Sequence, residues 1–153
     1  MNTQEKYNLA KTVIDHALKS GAQQVSVSID ESRSSEIEIR DQKIDKLAES
    51  NRNSLSINLY VDKKYSSNST NRMNKEEIRR FVEESINATR YLAEDEYRIL
   101  PDPALYYKGD GEELNMIDKT IETLDAGTKI NLARAVHDEV FNKDERIISV
   151  SAN

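Results

Sequence analysis

Two histidines, no cysteine and 28 acidic residues are the whole supply of metal-binding or acid–base side chains in this sequence. His137-Asp138-Glu139 superficially matches the start of a zinc-binding helix. That motif, however, needs a second histidine one turn on, to put two ligands and a base on one face, and position 141 is Phe. The match fails. His16 has no partner at metal-ligand spacing and is expected at the surface or boundary of a helix. Ser66, Ser67 and Ser69 form a serine-rich tract, but a serine nucleophile needs an activating base, and neither histidine is placed by the sequence to serve as one. Only four glycines are present, with no dinucleotide fingerprint, phosphate loop or nucleophile elbow among them. Taken alone, these residues define no active site.

What remains is a contact surface. Tyr60 and Tyr65 flank the polar pair Asp62-Lys63, and Ser67 follows two residues on. If residues 54–61 and 64–70 are two strands joined by that turn, these side chains are candidates for touching a peptide or partner. Peptide could then add to the strand edge at 64–70.

The positioning elements follow from periodicity. Leu55, Ile57, Leu59 and Val61 alternate with Ser54, Ser56, Asn58 and Tyr60, the two-residue period of a strand buried on one face. Earlier strands are expected at 24–29, 35–40 and 43–49. The polar piece 30–34 links the first two, Asp41-Gln42 makes a tight turn, and Ile44 and Leu47 need a bulge or helical turn to share a face. Val25, Val27, Ile29, Ile37 and Ile39 join Leu55 to Val61 as one wall of the core. The opposite face, with Ser26, Ser28, Glu36, Glu38, Ser56, Asn58 and Tyr60, meets either water or another domain or subunit.

Helices are expected near 3–20, 74–93 and 127–141. The first has an apolar stripe of Leu9, Ala10, Val13, Ile14, Ala17 and Leu18, with Thr3 as N-cap and Gly21 as its stop. The second opens on Asn74 with Glu77 three residues later and buries Ile78, Phe81, Val82, Ile86, Thr89 and Leu92. The third is capped by Asp125 and turns Ile130, Ala133, Val136, His137, Val140 and Phe141 inward. Between 94 and 116 the periodicity fails, and Tyr97, Tyr106 and Tyr107 are expected to anchor that segment to the core or, alternatively, to form part of a contact surface. A short helical turn is expected near 117–124, and 145–151 reads as a last strand whose abrupt end suggests a longer natural chain. The fold class is therefore α+β: a two-layer sandwich, mainly antiparallel sheet with helices on one face.

Composition narrows the partners. A chain of 153 residues, 37% hydrophobic and 33% charged, suits one soluble core. It has no apolar run of membrane-spanning length and no signal-peptide core at its N-terminus. The net charge of −6 disfavours direct nucleic-acid binding, which calls for a basic face.

The order of local signatures resembles the N-terminal domain of the TldD/PmbA family, the modulators of DNA gyrase. It is carried by residues 17–22 (ALKSGA), 37–41 (IEIRD) with Lys43-Ile44, 54–61 (SLSINLYV), 74–93 with Tyr97 and Leu100-Pro101-Asp102, and 143–147 (KDERI). The chain departs from the family pattern in having Asp41-Gln42 where Asp-Gly is usual, and Asn53-Ser54 and Ser56 where glycines are common. The stretches at 54–61 and 143–147 look closer to the PmbA/TldE-like branch.

The resemblance implies that 1–153 is a single N-terminal α+β domain of a longer two-domain protein. It further implies a non-catalytic part in a subunit of a cytoplasmic zinc-metallopeptidase assembly. The domain would help form the peptide-substrate chamber or the subunit interface, with Tyr60, Tyr65 and Ser67 as contact residues. Its partners would be a homologous TldD/PmbA-like subunit, its own C-terminal domain and unfolded peptide. Any zinc would be bound outside this chain, which holds no cofactor itself. The alternative is a freestanding protein- or peptide-binding module unrelated to proteolysis.

Overall fold

The structure, a computed structural model, describes residues 1–109, 114, 116, 118 and 120–153. Within the segments 94–116 and 117–124 read above, residues 110–113, 115, 117 and 119 lie outside the described residues. The elements in chain order are α1 (Thr3–Lys19), β1 (Gln24–Arg40), β2 (Lys43–Val61), β3 (Lys64–Thr70), α2 (Lys75–Thr89), α3 (Ala126–Asp138) and β4 (Ser151–Ala152), with short 3-10 turns at Pro103–Leu105 and Ile121–Thr123. Among the described residues the sheet order is β3-β2-β1-β4, and β2–β3 and β1–β4 pair antiparallel. The class is α+β, as the periodicity predicts. The chain divides into two compact units: Met1–Ser32 with Asn51–Tyr106, and Arg33–Ser50 with Tyr107–Asn153. The hairpin of β1 and β2 contributes strand to both.

In the first unit the alternation of β2 sets the core. Leu55, Ile57, Leu59 and Val61 are wholly buried and cluster with Val13 and Ala17 of α1 and with Ile78, Val82 and Ile86 of α2. Each such side chain contributes about 1.5–3 kcal/mol on burial. Val25, Val27 and Ile29 pack against this cluster only partly buried. Helix α1 is capped by Asn2 rather than Thr3: Asn2 accepts from the Glu5 N–H, and Glu5 reaches back to the Asn2 N–H. Two orphan donors of the first turn are thereby satisfied. Gly21 ends the helix at φ 108°, where a Cβ would meet Arg90 Nη2 at 2.8 Å. In α2 the predicted cap is present, Asn74 accepting from the Glu77 N–H at 2.9 Å. Leu92 is exposed, beyond the helix end.

In the second unit Ile37 and Ile39 are buried, and Ile39 pairs with Ala152. They do not belong to the cluster under α1 and α2, so the predicted single wall of nine residues is two separate sets. Asp41 and Gln42 make the turn at φ 45° and 67°, the geometry a two-residue hairpin requires at both positions. Gln is a poor residue there, and tertiary bonds compensate. The Gln42 N–H donates to His137 Nε2 at 3.2 Å, and the Asp41 carboxylate accepts from the Val150 N–H and the Ser149 hydroxyl, each at 3.1 Å. The Val150 hydrogen bond, aided by Ser149, holds the Asp41 carboxyl below its ordinary range.

Four expectations are corrected. Residues 24–40 form one strand, not two with a polar link, and 43–61 likewise form one. Residues 30–36 and 41–53 are exposed, so alternation carries no signal there. Cross-strand polar pairs accompany the backbone ladder instead, Ser34 with Ser50 and Lys46 with Glu36, both at 2.8 Å. Ile44 and Leu47 are exposed, so no bulge is needed to turn them inward. Helix α3 stops at Asp138, three residues early, and Asn142 takes positive φ. His137 is its one buried residue among the described ones, while Val136 and Val140 are exposed. The final strand is only Ser151–Ala152, because Asp144 and Arg146 close a turn on each other at 2.6 Å and Ile148 stands in solvent.

Burial separates the two halves of β2 energetically. Ile57→Ala should cost about 2–5 kcal/mol in urea unfolding, whereas Leu47→Ala should stay within about 0.5 kcal/mol. Equal effects would contradict this division.

Candidate functional site

The register of β2 and β3 assembles the predicted contact residues. Tyr60 lies opposite Tyr65, Asn58 opposite Ser67, and Ser56 opposite Ser69. Since residues directly opposite share a face, all six lie on the side of the sheet away from Leu55, Ile57, Leu59 and Val61. The rings of Tyr60 and Tyr65 are 5.2 Å apart and tilted by 55°, within the range for a favourable aromatic pair. The Tyr65 hydroxyl donates to Asn58 Oδ1 at 3.0 Å. Tyr60 and Tyr65 are half-buried, and Ser67 is exposed beyond them. The turn that fixes this register, Asp62-Lys63, has φ 50° and 60°. It is held from below by Gln23, whose side-chain oxygen accepts from the Asp62 N–H at 2.8 Å.

Two neighbours were not legible in advance. Arg98 comes from the irregular segment and sets its guanidinium 4.4 Å from the centre of the Tyr65 ring, a cation–π contact. Gln24, at the start of β1, accepts from the Leu100 N–H at 3.0 Å and ties that segment down. Backbone and charge therefore anchor it. The tyrosines do not: Tyr97, Tyr106 and Tyr107 are exposed, against expectation. Asn58 follows from its parity in β2, as expected; nothing in the spacing of Arg98 points to Tyr65.

The edge of β3 is partly closed. Glu94 bridges to Lys64, and the Asp95 N–H donates to the Lys63 carbonyl at 2.7 Å. Among the described residues no strand pairs with the outer edge of 65–70. Extended chain could add there.

Of the serine tract, Ser66 alone serves the inner face. Ser66 lies opposite Leu59, and its hydroxyl is 2.6 Å from that of Thr89, which itself donates to the Ser85 carbonyl at 2.7 Å. Thr89 having spent its proton, Ser66 donates to Thr89 and accepts from Asn68 at 2.8 Å. This is a structural chain of hydrogen bonds, with no base beside it. His137 is also occupied. Its Nε2 accepts from Gln42, its Nδ1 lies 2.9 Å from Asp138 Oδ1, and its ring stacks on Phe141 at 4.8 Å. Among the described residues no three His, Asp or Glu side chains gather as a metal site.

Residues 25–89, from β1 to the end of α2, match the family model described as PmbA/TldA metallopeptidase domain 1. A crystal structure of a proposed modulator of DNA gyrase from Bacteroides thetaiotaomicron is 44% identical, with a TM-score of 0.91 over 99% of this chain and 34% of that one. Over residues 25–89 the chain carries the first domain of the PmbA/TldD family. Two further solved structures share the fold. A proposed gyrase modulator from Thermotoga maritima is 17% identical with a TM-score of 0.63, over 95% of this chain and 32% of that one. TldE from Thermococcus kodakarensis is 16% identical with a TM-score of 0.56, over 88% and 30%. The chain thus spans about a third of the length of these PmbA/TldD-like structures. No curated protein matches it.

Burial, reinforced by Tyr65, pushes the Tyr60 phenol above its ordinary value of 10.0, with Arg98 opposing. A raised folded pKa gives stability that is fully present below the unfolded value and lost as pH rises through the folded one. Unfolding free energy should therefore fall above pH 10, and Tyr60→Phe should flatten that fall. Identical alkaline profiles for the two proteins would contradict the assignment.

Proposed function

We propose that this chain is a non-catalytic N-terminal domain of a TldD/PmbA-like metallopeptidase-complex subunit. The outer face of β2–β3 and the open edge of β3 meet peptide substrate or a homologous subunit there. The observation that carries this reading is that the family match at 25–89 coincides with the strands presenting Tyr60, Tyr65 and Ser67. Tyr60 and Tyr65 give a rigid amphipathic contact at small entropic cost, Ser67 adds an exposed hydroxyl beside them, and the β3 backbone offers main-chain hydrogen bonds to an extended peptide. In this reading the zinc and its chemistry belong to residues outside this chain, the assembly is cytoplasmic, and the parent protein is of the PmbA/TldE-like branch.

The test uses the full-length protein purified with its homologous subunit. Tyr65→Ala and Ser67→Pro should each lower peptide turnover or weaken subunit association about tenfold, a loss of about 1.4 kcal/mol, with the circular dichroism spectrum unchanged. Normal turnover together with normal association would overturn the proposal and favour a freestanding binding module.

A further inference from the structure

Helices α1 and α2 of the first unit line between them a half-open hollow of about 300 Å³, at the small end of the range for small-molecule sites. Its floor is apolar, formed by the buried side chains of Val13, Ile78 and Val82. Its rim carries Lys19, Lys75 and Arg79, and among the described residues none of the three makes an ion pair. Three cations against one lining carboxylate, Asp15, are unexpected around one apolar hollow in a chain of net charge −6. His16 also lines the cavity. Its Nε2 is shut off from water and lies 3.1 Å from Glu83 Oε1, in ion-pair range but without a hydrogen bond. Such a group is normally satisfied.

We infer that this cavity binds a small organic monocarboxylate with an apolar body. The carboxylate supplies what the rim lacks: an acceptor for the Arg79 fork and the lysine ammonium groups. The apolar body covers Val13, Ile78 and Val82. Asp15, also on the lining, and Glu83 beside His16 repel a second negative charge, so a singly charged acid is favoured over a phosphate dianion. The apolar floor lowers the local dielectric and strengthens the attraction of the rim. The site is independent of the proposed peptide-contact face, and either can fail without the other.

Isothermal titration calorimetry of the full-length protein with hexanoate, hexanol and inorganic phosphate tests the inference. Hexanoate should bind with a Kd on the order of 1 mM or tighter, hexanol and phosphate at least tenfold more weakly. Added salt should weaken hexanoate binding. Lys75→Gln combined with Arg79→Gln, both on exposed side chains, should cost at least tenfold in affinity while leaving the thermal melt unchanged. Should that variant fold poorly, the comparison of hexanoate with hexanol and the salt dependence on the unaltered protein decide the matter. No saturable binding of hexanoate, or binding matched by hexanol and insensitive to salt, would overturn it.

Discussion

The register of β2 against β3 is the constraint on which the first unit depends. Leu55, Ile57, Leu59 and Val61 must all face α1 and α2, and a slip of one residue would send every one of them into water. Two features hold the register in place. The turn at Asp62-Lys63 takes positive φ at both positions, and Gln23 bonds the backbone and side chain of Asp62. With the inner face fixed by burial, the outer face follows by parity. The pairing of Tyr60 with Tyr65 and of Asn58 with Ser67 is thus a geometric by-product of hydrophobic burial.

The second unit obeys a different balance. It buries Ile37, Ile39, Ala152 and His137, and its hairpin tip depends on polar bonds. Gln42 satisfies an otherwise unused acceptor on a fully buried imidazole, and Asp41 gathers the returning chain through Ser149 and Val150. A residue poorly suited to positive φ is tolerated because the surrounding contacts over-determine its conformation.

This contrast explains what the sequence made legible. Where a strand or helix has one buried face, as in β2 from Leu55 onward, in α1 and in α2, periodicity located the element and its inward residues to within a few positions. Where the ribbon of β1 and β2 is exposed, at 30–36 and 41–53, no burial imposes alternation, and continuous strands read as fragments. The apolar run Ile147-Ile148 read as strand although Ile148 is solvent-exposed. The candidate contact face was legible because parity in β2 was legible. Arg98 was not, since it reaches Tyr65 from an irregular segment that obeys no period. No motif carried a chemistry; the order of elements carried the family resemblance.

Hydrogen exchange on the full-length protein, free and bound to its homologous subunit and peptide, tests the contact face most directly. The account predicts slowed exchange at amides within 65–70 of β3 on complex formation, while the buried amides of α1 keep their rates. Unchanged exchange throughout 65–70, with protection appearing elsewhere in the chain, would contradict it.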